Sequence, residues 1–558
     1  MDITSLNRNF WLENEPDCLE LLNSNWEKVP LLNCNDAQRL QSGKLVRFRG
    51  MIQDMYNPEY YLEKCMVVNK NSAELNVING KYIESIPCKE NEIMDHDSPS
   101  NVTSERQTFV MISAPGLNEW AIEMESINNK MDFQSAMQSV SCNSKRTLDE
   151  DEKELEVVNS PTKKQCSSKP APAPNSSVSQ EHLLNFPLPN SSGKACHIKI
   201  YDKSDTIKLN DLIEVVGFLC VDPIITDSED DVETQTHNPP TSLIPRIHCV
   251  HFKSFTKHNY MGNCVLSKPM GVVFNEMLTV LTQLLLGDSF AAEYLIYNLI
   301  SEVYSRQDFL PLGKFCLNLS NIPVETVNFG EEIYKIIAEI VPKSYYLSMT
   351  LENMNDLTFI PKKDYDSNRL TSGILQLSAN THLVLDETKL STGKLNEAGV
   401  RAVNTIANAI KSQTMEYDFG YYKMDYECNI AFLIISEGKS MLPSDFHVPL
   451  KPVNECVQTF GEIVDAAKVY LNTHLKEFRM YLDVARRNKY ELCQDIQESI
   501  QTEFVNMRQI ANATIENLHS LLVLARLICL SQGKEALDEP SWRRACELET
   551  ERRIRTSH

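Results

Sequence analysis

LTQLLLGDSFAAEYLIYNLISEVY, residues 281–304, decides how the rest of the chain is read. Its apolar run ends at Gly287-Asp288, and a helical pattern begins at once, with Tyr294, Leu295, Asn298 and Leu299 spaced to bury one face. The pattern predicts a strand, a tight turn and a helix. Nucleotide-binding loops occupy such joints, because glycine-rich backbone N–H groups cradle phosphates while a lysine and a hydroxyl handle the outer phosphates and Mg²⁺. Here that equipment is missing. Counted from Gly287, GxxxxGK[ST] requires Gly, Lys and Ser or Thr where the chain has Ala292, Glu293 and Tyr294. A glutamate at the lysine position repels a triphosphate.

Composition sets outer bounds. With 558 residues, 42% of them hydrophobic, there is material for several domains with real cores. The net charge of −22 argues against direct binding to duplex DNA, which needs a basic footprint, and favours protein partners. The 16 cysteines are scattered singly without a CxxC pair, so neither a zinc ribbon nor a disulfide framework is expected. No metal or cofactor is expected. MDITSLNRNFWLENEPD lacks an apolar signal core and no window approaches a membrane span, so a soluble, intracellular protein with no membrane association is expected.

The expected organisation is α+β and multidomain. Residues 1–121 carry N-terminal helices and the first part of an OB-like β-barrel, with strands at 45–68, 81–86 and 107–113. Arg47 and Arg49 alternate along the first strand and read as a solvated face. Residues 122–184, acidic and rich in Pro and Ser, are expected to be a disordered linker. It carries two basic pairs, Lys145-Arg146 and Lys163-Lys164, the pattern of a bipartite nuclear-import signal. The second part of the barrel, 185–257, supplies strands at 197–202, 211–223 and 243–252. Neither strand group can close alone, so one barrel split by the linker is the economical reading, with two small domains as the alternative.

Residues 258–452 read as an α/β domain. Strands are expected at 310–320, 344–355 and 428–438, in a mixed sheet, with helices at 331–341 and 400–409. Leu383-Val384-Leu385 followed by Asp386-Glu387 has the form of a strand that presents an aspartate to Mg²⁺ and a glutamate to the attacking water. Residues 453–558 read as a helical lid in which Pro540 starts a short final helix.

LLLGDSFAAEYL (284–295), LVLDE (383–387), LKEFRMYLDVARRN (475–488) and TIENLHSLLVLARL (514–527), in this order behind a split barrel, resemble MCM helicase subunits over roughly residues 40–550. FRGMIQDMYNPEYY (48–61), ERQTF (105–109), LIPRIH (243–248) and LPLGKFCLNLS (310–320) narrow the likeness to the MCM-binding protein family, divergent relatives of those subunits. The resemblance implies a nuclear protein that binds MCM helicase subunits in an alternative MCM complex. It further implies roles in DNA replication and cell division through MCM supply, MCM removal from chromatin and sister-chromatid cohesion.

The same resemblance implies a degenerate AAA+-like domain whose nucleotide-site positions are Gly287, Glu293, Tyr294, Asp386, Glu387 and Glu516. Glu516 stands where MCM lids carry an arginine, and no arginine-finger stretch follows Gly438. Losing a single charge-stabilising contact costs about 10²–10³ in rate, so no catalysis is expected. The expectation is an inert subunit mimic that occupies an MCM interface. Two alternatives stand beside it: an ATPase using Gly313-Lys314, and a single-strand nucleic-acid binder using Arg47, Tyr56, Tyr60 and Tyr61.

Overall fold

Gly50 and Gly217 mark where the first sheet turns on itself. A Cβ at Gly50 would lie 2.1 Å from the Ile112 carbonyl oxygen, and one at Gly217 would lie 2.2 Å from that of His248. Only glycine allows backbones to approach this closely. The strand containing Gly50, β1 (Leu45–Met55), therefore bends away from one partner and onto another. A computed structural model describes the chain apart from residue 1 and residues 36–39, 71–74, 88–90, 128–177, 190–192, 202–205, 223–231, 256–259, 262–264, 309, 493, 512–513 and 558.

In the larger sheet the order of pairing is circular. The excursion β2 (Glu59–Asn69), β3 (Leu75–Asn79) and β4 (Glu92–Met94) extends from β5 (Val102–Ile112), and β5 runs antiparallel to β6 (Ala195–Ile200). β6 is the first strand beyond residues 128–177, and β7 (Leu212–Cys220) and β8 (Arg246–Ser254) follow it. The first half of β1 pairs with β7 and its second half with β5, while β8 lies antiparallel to β7 and parallel to β6. The ring β1-β7-β8-β6-β5 closes on β1, so both strand groups share one sheet. Its core includes Phe48, Ile52, Phe109, Met111, Val215 and Ile247. The strand expected at 81–86 is a turn, and the pairing is made by β3 instead. Residues 128–177, the bulk of the expected linker, lie outside the described residues; just before them a helix spans 119–127.

The second body begins with the short hairpin β9 (Ser305–Gln307) and β10 (Leu310–Leu312). Its main sheet contains β11 (Leu317–Ser320), β12 (Ser344–Ser348), β15 (Thr381–Asp386), β18 (Ile430–Ile435) and β19 (Phe446–Pro449), in the order β12-β15-β18-β11-β19. Every pairing in it is parallel, where the sequence suggested a mixed sheet. Both faces are covered, as parallel sheets require. Val384, Leu433 and Ile435 point into one core, and Leu383, Leu385, Phe432 and Ile434 into the other. The expected strand 344–355 ends at Ser348, and Thr350 then caps a short helix, Leu351–Asp356. A separate four-stranded sheet comprises β13 (Lys362–Asp364), β14 (Arg369–Thr371), β16 (Thr414–Asp418) and β17 (Lys423–Glu427).

The opening stretch is a helix, a turn and a helix. Met270–Leu284 is helical because Val273, Met277, Val280, Leu281 and Leu284 recur at helical spacing, and its last turn occupies the position read as a strand. Leu286 and Gly287 then adopt left-handed conformations, φ 59° and 87°, and Ser289–Ile300 leaves at 120°. Among the described residues no single helix is long and apolar enough to cross a membrane. This bent pair would pass by length and composition together, but Phe290 to Ile300 are buried throughout in the protein core. The helices Phe460–Arg487, Ile515–Ser531 and Glu539–Thr556 share that core with the joint. The final helix, with Pro540 in its first turn, has 18 residues rather than a short span.

Candidate functional site

Ligands of open α/β sheets sit beyond the carboxyl ends of the strands. At that edge Asp386 ends β15 with no exposure. Tyr346 Oη donates to its Oδ2 at 2.5 Å, and Thr388 donates to Oδ1 from its backbone N–H at 3.0 Å and from Oγ1 at 2.6 Å. Burial, reinforced by the carboxylate it serves, pushes the Tyr346 phenol up. Gly330, in the first turn of helix Phe329–Ile340, lies directly against the same group: a Cβ there would stand 2.4 Å from Asp386 Oδ2. Both Asp386 oxygens are thus already engaged. Glu387 accepts from Ser440 Oγ at 2.7 Å, and burial pushes its carboxyl up.

The strand–loop–helix unit facing Asp386 is β11, residues 321–328 and helix Phe329–Ile340. The loop, NIPVETVN, contains no glycine and no lysine. The helix opens with Glu331 and Glu332, where a phosphate would need positive potential. Lys335 Nζ turns to these two carboxylates, at 3.0 and 2.7 Å. The chemistry available here is that of a strand end hydrogen-bonded to the neighbouring strand and to the turn after it, with the helix packed against it.

Of the positions singled out in the sequence, Asp386 and Glu387 come together at this edge; the others do not join them. Gly287 packs against Val453, to which a Cβ would approach within 2.8 Å. Asp288 caps helix Ser289–Ile300, accepts the Lys451 N–H at 2.9 Å and binds Arg555 Nη1 at 2.6 Å. Glu293 binds Arg544 Nη2 at 2.7 Å and accepts from Tyr297 Oη at 2.7 Å. Tyr294 is buried among Phe290, Phe315 and Phe446. The joint therefore holds the final helix. Glu516 is exposed in the first turn of helix Ile515–Ser531. His519 of that turn feels Lys314 and Asp445, which precede β11 and β19, at the other edge of the sheet.

The alternatives meet the same geometry. Gly313 (φ 95°) makes a turn and Lys314 pairs with Asp445, so this GK pair starts β11 instead of following it. Arg47 is 2% exposed rather than solvated. Its Nη1 lies 3.0 Å from Glu214 and also pairs with Glu27, while Arg49 bridges Glu125 and Glu214, each at 2.8 Å. Tyr56 is buried against the His237 ring at 4.0 Å and Tyr61 packs edge-on against Tyr201, which leaves Tyr60 alone as an exposed aromatic of the set. Lys145, Arg146, Lys163 and Lys164 lie outside the described residues. Sequence reasoning missed the loop 321–328 because it has no motif; its signal was the strand–helix succession around it.

A family model described as Mini-chromosome maintenance replisome factor matches residues 18–556. The chain is similar to the Mini-chromosome maintenance complex-binding protein of Drosophila melanogaster, at 39% identity over 95% of this chain and 93% of that protein. Proteins of the same name from Danio rerio and Homo sapiens are 38% and 36% identical, over 95% and 94% of this chain and 91% of each of theirs.

Proposed function

The chain belongs to the Mini-chromosome maintenance replisome factor family, and from that premise we propose that it is a non-catalytic partner of MCM helicase subunits in DNA replication. The name its relatives share, Mini-chromosome maintenance complex-binding protein, supports the partner. The closed five-strand ring supports reading the first body as an OB-type barrel. The parallel sheet, with Asp386 facing a strand–loop–helix unit, supports reading the second as a degenerate AAA+-like domain. One observation carries the absence of catalysis: the loop opposite Asp386 has neither glycine nor lysine, and it leads into Glu331 and Glu332. Such a body packs where a sister subunit would and holds MCM subunits apart from a complete ring by interface burial and mass action. Nuclear location, MCM supply, removal from chromatin and cohesion belong to the same proposal, with the two basic pairs as import signal.

Titration with a fluorescent ATP analogue and Mg²⁺ tests the inert site. No saturable binding is expected up to about 1 mM, a free energy near −4 kcal/mol. Saturable binding well below that, abolished by Asp386→Ala in a variant that still melts cooperatively, restores the ATPase reading.

A further inference from the structure

Helices Met270–Leu284 and Phe460–Arg487 line a surface groove of about 630 Å³. Its apolar lining comes from Val272, Val280, Ile463, Ala466, Ala467 and Tyr470. Val272 and Tyr470 are 44% and 38% exposed, and neighbouring Val469 is 71% exposed. The small side chains of Ala466 and Ala467 keep the groove open, and Asn275, Glu276, Thr279 and Gln283 make the opposite wall polar. On the longer helix stand Glu462, beside the groove, and Asp465, turned further round toward solvent, both exposed and with no ion pair or side-chain hydrogen bond among the described residues. Lys468, on the other side, is engaged by Glu332 at 2.9 Å. On the polar wall, Glu276 is paired with Lys268 at 2.7 Å.

An apolar trough between two helices matches an amphipathic helix that inserts residues at i, i+3, i+4 and i+7. The unpaired Glu462 carboxylate beside the groove, with exposed Asp465 behind it, sets the charge of its flank. We propose that this groove seats a partner helix whose apolar stripe is bordered by Lys or Arg, and that the partner is an MCM subunit; the partner's identity rests on the function proposed above. Carboxylates border the trough on both helices, Glu276 on one and Glu462 on the other, and a basic border on the incoming helix complements them.

Full-length protein and purified individual MCM subunits provide the test. Amide exchange in the wild-type complex is expected to slow at 270–284 and 460–470. Ala466→Trp fills the trough from an exposed position and is expected to weaken binding by about 30-fold or more. The double change Glu462→Lys and Asp465→Lys, which leaves the trough intact, is expected to weaken binding about tenfold at low salt, with the difference shrinking as salt rises. Tyr421→Ala, on the distant β16–β17 turn, serves as the control. Wild-type affinity in Ala466→Trp and in the charge reversal, with no protection in the groove, overturns this inference while MCM binding stands. Failure of wild-type protein to bind any subunit overturns the MCM reading and the inference together.

Discussion

Asp386 illustrates how a carboxylate at a strand end becomes structural. It lies where a Mg²⁺ ligand would be expected, yet a phenol, a hydroxyl and a backbone N–H occupy it, and a glycine is pressed against it. Tyr346→Phe should cost about 1–3 kcal/mol in urea unfolding, because a buried carboxylate loses a donor. Gly330→Ala should cost a similar amount through the clash with Asp386 Oδ2, about 1–3 kcal/mol. Unchanged unfolding midpoints in both variants would contradict the packing described. Asp54 offers a different signature. Burial raises its carboxyl to about 6, against the backbone N–H groups of Leu370 and Met55 that favour its charged form. The folded state then holds this proton more tightly than the unfolded chain. Its contribution is complete below about pH 4 and is lost as pH rises through about 6, a change of about 2–3 kcal/mol. Unfolding free energies at pH 4.5 and 7.5 should show that slope in the wild type and a shallower one in Asp54→Ala.

At the scale of elements, the joint at residues 281–304 and the final helix form a clamp. Arg555, 8% exposed, binds Asp288, 2% exposed, and stacks on Phe290 at 4.1 Å. Arg555→Ala strands a buried carboxylate and should destabilise by about 3–5 kcal/mol. The Glu293–Arg544 pair is nearer solvent, with Arg544 46% exposed, so breaking it should cost less. A melting scan that ranks the two substitutions the other way would contradict the clamp. The amphipathic repeat Val273, Met277, Val280 and Leu284 was passed over because the dense apolar run LTQLLL read as a strand, and a short apolar run is equally a strand or a buried helix end. The helix Phe329–Ile340 and strand β15 were read within a few residues because their apolar periods are clean. Arg47 and Arg49 misled because alternation reports only faces, and long-range carboxylates such as Glu214 decide which face is buried.

For the whole molecule, acidity and family likeness were legible from composition and short motifs. That both strand groups close one barrel was the economical reading, but the strand order was not legible, because it depends on Gly50, where β1 passes from β7 to β5, and on Gly217, where β7 presses against β8. The loop opposite Asp386 was equally hidden, since a loop without glycine and lysine leaves no signature. The account nevertheless makes one demand of the entire protein: it must hold MCM subunits without nucleotide chemistry of its own. Size-exclusion chromatography with light scattering, on the chain mixed with MCM subunits, without nucleotide and then with ATP, tests this most directly. The account predicts a stable co-eluting complex in the absence of ATP. Failure to co-elute with any subunit, or a complex that forms only when this chain itself binds ATP, would contradict it.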